Sequence, residues 1–348
     1  MRVERGFSLG AYSDMVRSKS SHNPLISVVI PAYNRAKTIG YCIDSVLAQT
    51  VSPFEVIVVD DCSADATADI AGRYRHAGVR CIVLEKNSGA QAARNRGIKE
   101  AKGDWIAFQD SDDEWMPEKL QKQIQALSRV GSNALTVVHT GALRRSHAAA
   151  RPKRARLPVV EGEYVYPFML ATPGPMFPGM LVSRQALEKI GFLDEKVPAY
   201  QEWDTAIRLA RICRFIYLRE PLFVYHIHEG ETISGDTKRD INGYQYVVDK
   251  FREDILSECG RGTYNDHIAY NALRAMGWGF FQEAEDIISR HVGSSAGTSL
   301  LKLMNRAGRR MPGRGLLVKW ANVVRWLRWK LYERGKMAGE AGRRSVLL

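Results

Sequence analysis

The chain has 348 residues, 45% hydrophobic and 25% charged, which is the composition of a folded globular protein and excludes a disordered or fibrous one. Its formal charge of +12 points at first to nucleic acid or an anionic membrane, but 13 basic and two acidic residues lie in 300–348, and the rest of the chain is nearly neutral. Five scattered cysteines without a Cys-x-x-Cys pair argue against a disulfide framework or a thiolate zinc site. Residues 1–23 lack the apolar core of a signal peptide, and no stretch reaches the roughly 18 apolar residues of a spanning helix, so a cytoplasmic location is expected.

Residues 25–31 form a nearly continuous apolar run, the pattern of a strand buried on both faces. A helix is predicted over 36–49, where Ile39, Ile43, Val46 and Leu47 recur at helical spacing, followed by a strand over 54–60. A helix over 65–75, a strand over 80–84, a helix over 89–101 and a strand over 105–109 continue the alternation. This order implies a parallel sheet with helices on both faces, and ligands of such sheets sit at the carboxyl ends of the strands. Four loops therefore meet at one mouth, and three carry acidic groups, which a divalent cation would reconcile.

Beyond a helix at 118–128, residues 143–160 hold His147 and six basic residues without a period and read as a mobile surface loop. A strand within 174–183, a helix at 184–190, a helix at 203–212 and a strand over 215–226 broken by Pro221 follow. Helices at 244–256 and 268–288 lead into the basic tail. Asp110 and Asp112, two apart where a strand ends, suit a hard cation that completes its shell with phosphate oxygens. Asp113 is expected to cap the helix that follows it.

Four motifs occur in order: Val-Val-Ile-Pro-Ala-Tyr-Asn at 28–34, Glu-Val-Ile-Val-Val-Asp-Asp-Cys-Ser at 55–63, Asn-Ser-Gly-Ala-Gln-Ala-Ala-Arg-Asn-Arg-Gly at 87–97, and Gly-Asp-Trp-Ile-Ala-Phe-Gln-Asp-Ser-Asp-Asp at 103–113. Together they resemble glycosyltransferase family 2, the inverting GT-A enzymes, over residues 25 to about 234. The resemblance implies an α/β fold of GT-A (Rossmann-like) type, a mostly parallel sheet with helices on both faces, plus a C-terminal helical extension. The expected organisation is an N-terminal extension at 1–24, a glycosyltransferase domain at 25–234 (nucleotide-sugar half 25–128, acceptor half 129–234), a helical region at 235–299 and a basic tail at 300–348.

Carried residue by residue, the resemblance places Pro31, Ala32 and Tyr33 under the base of a nucleoside-diphosphate sugar, UDP being the expected nucleotide, with the Tyr33 ring as a stacking face. Asp60 or Asp61 would accept a hydrogen bond from the base, Arg94 with Asn87 would approach it, and Asp110 would face the ribose or stand behind the metal ligand. Asp112 would ligate Mg²⁺ or Mn²⁺, with His228 a further candidate ligand; His226 stands where the family often has an arginine. Inverting transfer to a sugar hydroxyl needs a carboxylate base. The segment Tyr-Gln-Glu-Trp-Asp at 200–204 matches the family's acidic motif, with Gln-Glu in place of the usual Glu-Asp. Glu202 is the expected base and Asp204 its rival, the latter also able to pair with Arg208 one turn on.

In residues 316–334, Leu316, Trp320, Val323, Val324, Leu327 and Leu331 share one helical face, with Lys319, Arg325, Arg328 and Lys330 on the others. That pattern suits a helix lying in an anionic membrane surface, or one that packs its apolar stripe on the protein and leaves its charges in water; the resemblance favours the membrane, and implies peripheral attachment to the inner face of the cell membrane beside a glycan or lipid-linked acceptor. The competing classes are a nucleotide- or nucleic-acid-binding protein using the tail, for which the body offers no module, and a nucleotidyltransferase on a similar sheet. No nucleic-acid partner is expected. A dinucleotide-dependent dehydrogenase is disfavoured because no Gly-x-Gly-x-x-Gly follows the first strand.

Overall fold

The computed structural model describes residues 24–131, 133–146, 151–227, 236–293 and 296–308. Four strands, β1 (Ile26–Ala32), β2 (Glu55–Asp60), β3 (Val79–Val83) and β4 (Trp105–Phe108), pair in parallel in the order β3-β2-β1-β4. All seven residues of β1 are buried, as its nearly continuous apolar run requires of a strand covered on both faces. Alternation splits the core in two. Val29, Ile57, Val59, Ile106 and Phe108 face α3 (Ala90–Glu100), α5 (Tyr166–Ala171) and α7 (Gln201–Ala210), whereas Val28, Ile30, Val56, Val58 and Ala107 face α1 (Ile39–Leu47) and α4 (Lys119–Ser128). Gly97 lets α3 lie close on the sheet, since a Cβ there would stand 2.5 Å from Val29 Cγ1.

The sheet continues past β4 with a change of sense. β8 (Leu181–Ser183) is antiparallel to β4, β6 (Thr136–Ser146) is antiparallel to β8, and β9 (Arg214–Ile227) is parallel to β6. The short strands β5 (Glu114–Trp115) and β7 (Lys153–Arg154) pair with β9 and β6. Two reversals restore the direction of β4, so β6 and β9 send their carboxyl ends to the same edge as β1–β4. The mouth thus spans both halves of the sheet.

Three local expectations change. Residues 143–146, read as the start of a loop, continue β6 along β9, and Leu143 and Arg144 also pair with β7, so their backbone groups find partners although their side chains show no apolar period. Pro221 does not break β9; the ladder absorbs it with register shifts on either side of Gly141. The strand expected in 174–183 shrinks to β8, preceded by a 3₁₀ turn at Phe177–Gly179, where Pro175 and Pro178 have no N–H to give a ladder.

The first apolar cluster runs on into α8 (Thr237–Lys250), α9 (Gly260–Trp278), α10 (Phe281–Ser289) and Leu301 of α11 (Ala296–Gly308). These helices form the C-terminal extension, resting on α7 through Trp203, which is fully buried and donates its indole N–H to the Met169 carbonyl at 2.6 Å. Truncating so large a core side chain costs about 3–5 kcal/mol. Trp203 therefore fixes the first turn of α7, the turn that carries Glu202.

Candidate active site

At the end of β1, Pro31 and Ala32 are buried and Tyr33 is 39% exposed at the mouth. Asn34 takes a left-handed turn (φ 52°); its amide Oδ1 accepts the Ala64 N–H at 2.9 Å while its own N–H donates to Ser63 Oγ at 2.9 Å. The loops after β1 and β2 are tied together by this exchange. Asp60 accepts the Ser63 N–H at 2.7 Å through Oδ1, and its Oδ2 is buried without a hydrogen-bond partner among the described residues. Both oxygens of Asp61 are occupied, by the N–H groups of Ser88 and Gly89 at 2.7 Å each. Asp61 thus holds the turn that opens α3, where Gly89 sits at φ 92° and Asn87 is exposed.

The loop after β4 is acidic and heavily tethered. Arg94 of α3 bonds Asp110 Oδ1 at 2.6 Å, Gln91 Oε1 at 3.0 Å and Gln201 Oε1 at 3.3 Å, with its guanidinium 4.4 Å from the centre of the Phe177 ring. These bonds hold the guanidinium between the acidic loop and the first turn of α7. Asp112 Oδ2 stands 3.3 Å from Arg35 Nε, and its carbonyl accepts the Tyr41 hydroxyl at 2.9 Å. Asp113 does not cap α4, which starts after Glu118 with no side-chain cap; it accepts the His226 N–H at 3.0 Å and ties the loop to β9. His226 also meets Glu114 Oε1 at 2.7 Å through Nε2.

Burial, with the fields of Asp110 and Asp112, pushes Asp113 well above the usual carboxylate range. Burial also raises Asp110, against the opposing pull of Arg94. Such mutual repulsion is what a bound dication relieves. Among the described residues no three His, Cys, Asp or Glu side chains form a closed cage. An open site of one or two carboxylates, completed by phosphate oxygens and water, is what Mg²⁺ or Mn²⁺ would take, and Asp110 and Asp112 are the carboxylates of this loop that would fit it.

On the facing side, Tyr200 adopts a left-handed conformation (φ 60°) and starts α7. Glu202, in the first turn, is half-buried; burial raises its carboxyl most, the Asp110 charge adds to this, and its backbone N–H and Arg94 pull the other way. Asp204 is fully buried and bridges Arg208 Nε at 2.9 Å and Lys250 Nζ at 2.5 Å. His228 and residues 316–334 lie outside the described residues. Gln201, Phe177 and Arg35 were not singled out as site residues from sequence. Gln201 carried a signal, since it replaces the family's usual acid, and Arg35 directly follows the first motif; nothing local marked Phe177.

Residues 27–191 match the family model for glycosyl transferase family 2. The amylovoran biosynthesis glycosyltransferase AmsB of Erwinia amylovora is 31% identical over 229 residues, 60% of this chain and 73% of the relative. The matched share of the relative's own length is 31% for the succinoglycan biosynthesis protein ExoO of Rhizobium meliloti and 76% for an uncharacterized glycosyltransferase of Haemophilus influenzae. In fold, the chain resembles S. aureus TarS 1-349 in complex with UDP-GlcNAc (TM-score 0.58, 19% identity, 89% of this chain and 92% of that one). It also resembles the mannosyltransferase PcManGT of Pyrobaculum calidifontis in complex with GDP-Man and Mn²⁺ (TM-score 0.55, 18% identity, 88% and 87%). With the motifs gathered at one sheet edge of a GT-A fold, the chain belongs to glycosyltransferase family 2 and is a glycosyltransferase of the bacterial polysaccharide type.

Proposed function

We propose that the chain moves a sugar from a UDP-linked donor, with inversion, onto a hydroxyl of a glycan or lipid-linked acceptor in polysaccharide assembly. The observation that carries this is the Arg94 bridge, which joins Asp110 of the donor-side loop to Gln201 beside Glu202, across 107 residues of sequence. It brings an acidic loop suited to a diphosphate next to a carboxylate whose proton affinity is raised. A base with a raised pKa takes a proton more readily, and Glu202 is the group in position to do so.

In this reading Tyr33 stacks on the base and Asp60 Oδ2 accepts from it, while Asp61 shapes the Ser88-Gly89 turn. Pro31 and Ala32 form the floor, with Asn87 at the rim. Asp112, supported by Asp110, holds Mg²⁺ or Mn²⁺, with His228 as a further candidate ligand; when bound, the cation offsets charge on the departing diphosphate. Glu202 takes the acceptor hydroxyl proton as that oxygen attacks the anomeric carbon opposite the diphosphate. Asp204, sealed between Arg208 and Lys250, orients α7 and takes no part in the proton transfer. No helix among the described residues is long and apolar enough to cross a membrane, and we assign surface attachment at the inner face of the cell membrane to residues 316–334.

A thermal-shift panel of nucleotide sugars with Mn²⁺ tests the donor site. A ligand at a hundred times its Kd stabilises by about 2.7 kcal/mol, so a UDP-sugar should raise Tm by several degrees. No shift with any nucleotide sugar would sink the reading. Release of pyrophosphate in place of a nucleoside diphosphate would make the protein a nucleotidyltransferase.

A further inference from the structure

The β6–β7 ribbon is the most basic described surface outside the site, and its position gives that charge a use. Arg144, Arg145, Arg151, Lys153, Arg154 and Arg156 fall within 13 residues, all exposed, with no acidic residue among them in the sequence. In the ladder Arg144 stands directly opposite Lys153, a like-charge pairing that weakens a sheet unless an anion lies between. Among the described residues only Arg145 reaches a carboxylate, Glu114 at 3.6 Å, while Arg154 donates to the Arg219 carbonyl. The ribbon leaves the sheet at the mouth. Arg145 is in register with His226, whose N–H is held by Asp113, so the first cations lie on the far side of the acidic loop from Arg94.

Resting on the transferase reading above, we infer that this ribbon docks the diphosphate of a lipid-linked acceptor. An anion there is the acceptor's, since the donor's diphosphate belongs to the loop after β4. Arginine recognises phosphate oxygens in paired hydrogen bonds, and a row of cations along a ribbon suits the several charges of a diphosphate. A generic membrane contact would not need the cations to begin at the rim of the site.

The test uses the full chain with saturating UDP and Mn²⁺, so that the donor site is filled, and follows binding of farnesyl diphosphate by equilibrium dialysis. Farnesol and vesicles of phosphatidylglycerol in phosphatidylcholine serve as comparison probes. Wild type should bind farnesyl diphosphate well above farnesol, and the triple variant Arg144→Gln/Lys153→Gln/Arg156→Gln should lose about tenfold to a hundredfold, with UDP affinity unchanged and Tm no lower, since the like-charge pairing is relieved. The charge-preserving variant Arg144→Lys/Lys153→Arg/Arg156→Lys should retain binding. Equal farnesyl diphosphate binding by wild type and the triple variant, or a loss confined to the vesicles, overturns the proposal, the latter in favour of a membrane-docking ribbon. If UDP binds neither protein, the donor reading falls by itself, and the wild-type-to-variant ratio without UDP still decides the ribbon.

Discussion

Two carboxylates two residues apart on α7 should fail in different ways. Removing a general base costs a factor of about 10² to 10⁴ in turnover. Glu202→Gln keeps the shape of a half-buried side chain that has no described ion pair, so its Tm should stay within a degree or two while kcat falls by that factor. Asp204→Asn leaves the guanidinium of Arg208 without its carboxylate and the ammonium of Lys250 with Asp194 alone, at 2.7 Å, around a fully buried position. Breaking a buried pair costs about 3–5 kcal/mol; with Lys250 27% and Arg208 16% exposed, roughly 2–4 kcal/mol is expected. At about 2–4 °C per kcal/mol for a chain of this size class, that is a fall in Tm of roughly 5–15 °C, with turnover retained below the transition. Initial rates of nucleoside-diphosphate release and calorimetric scans of both variants measure the two quantities. Full turnover in Glu202→Gln would refute the assignment, and so would loss of turnover in an Asp204→Asn protein that is still folded.

Arg94→Gln removes the cation that lowers both Glu202 and Asp110; since Glu202 must be ionised to act, the acid limb of the kcat profile should move to higher pH. An unshifted limb would mean that Glu202 does not govern it. Asp112→Asn should abolish the extra Tm gained from Mn²⁺ added to UDP and lower kcat by about a hundredfold or more, and an unchanged Mn²⁺ response would remove Asp112 as a ligand. Gly97→Ala should lower Tm by the equivalent of about 1–3 kcal/mol, because its Cβ meets the β-branched side chain of Val29 across the helix–sheet interface. Lys119 is fully buried and has no carboxylate partner among the described residues, so its ammonium is disfavoured in the fold; stability should rise with pH while the folded protein has lost that proton and the unfolded chain still holds it, and level off once the unfolded chain gives it up. Lys119→Met should raise stability at neutral pH by about 1–3 kcal/mol and flatten that rise; a lower Tm would show that the bond to Gln123 and the contact with Trp115 outweigh the burial cost.

The half of the sheet that was legible is the half whose strands are buried on both faces. Residues 26–32 and 55–60 announce themselves by nearly continuous apolar runs, broken by Ser27 in the first and bounded by Glu55 and Asp60 in the second, whereas β6 ends in exposed arginines and β9 alternates irregularly around Pro221, so neither shows a clean period. The same division holds in the site. Asp60, Asp110 and Glu202 could be named because each sits in a local motif, but the Arg94–Gln201 contact spans 107 residues and no spacing encodes it. Asp113 misled for a related reason: helix capping is a local rule, and its partner, the N–H of His226, comes from a strand 113 residues on.

The Glu-Trp-Asp order itself explains why the C-terminal helices matter to the chemistry. At 100° per residue, side chains two apart on a helix point about 200° apart, so Glu202 and Asp204 must face opposite sides of α7. Trp203, between them, packs on Tyr244 of α8 and His267 of α9, with ring centres 5.1 and 5.7 Å away. The Tyr244 hydroxyl and His267 Nδ1 are 2.6 Å apart, and His267 Nε2 reaches the Leu170 carbonyl at 3.0 Å, so α5, α8 and α9 close around that indole. Lys250, the last residue of α8, then fixes Asp204. With one side of α7 locked by the indole cage and the buried salt bridge, the rotation of the helix is set, and Glu202 is left on the side of Arg94 and Asp110. The helices beyond residue 236 hold the proposed base in its place.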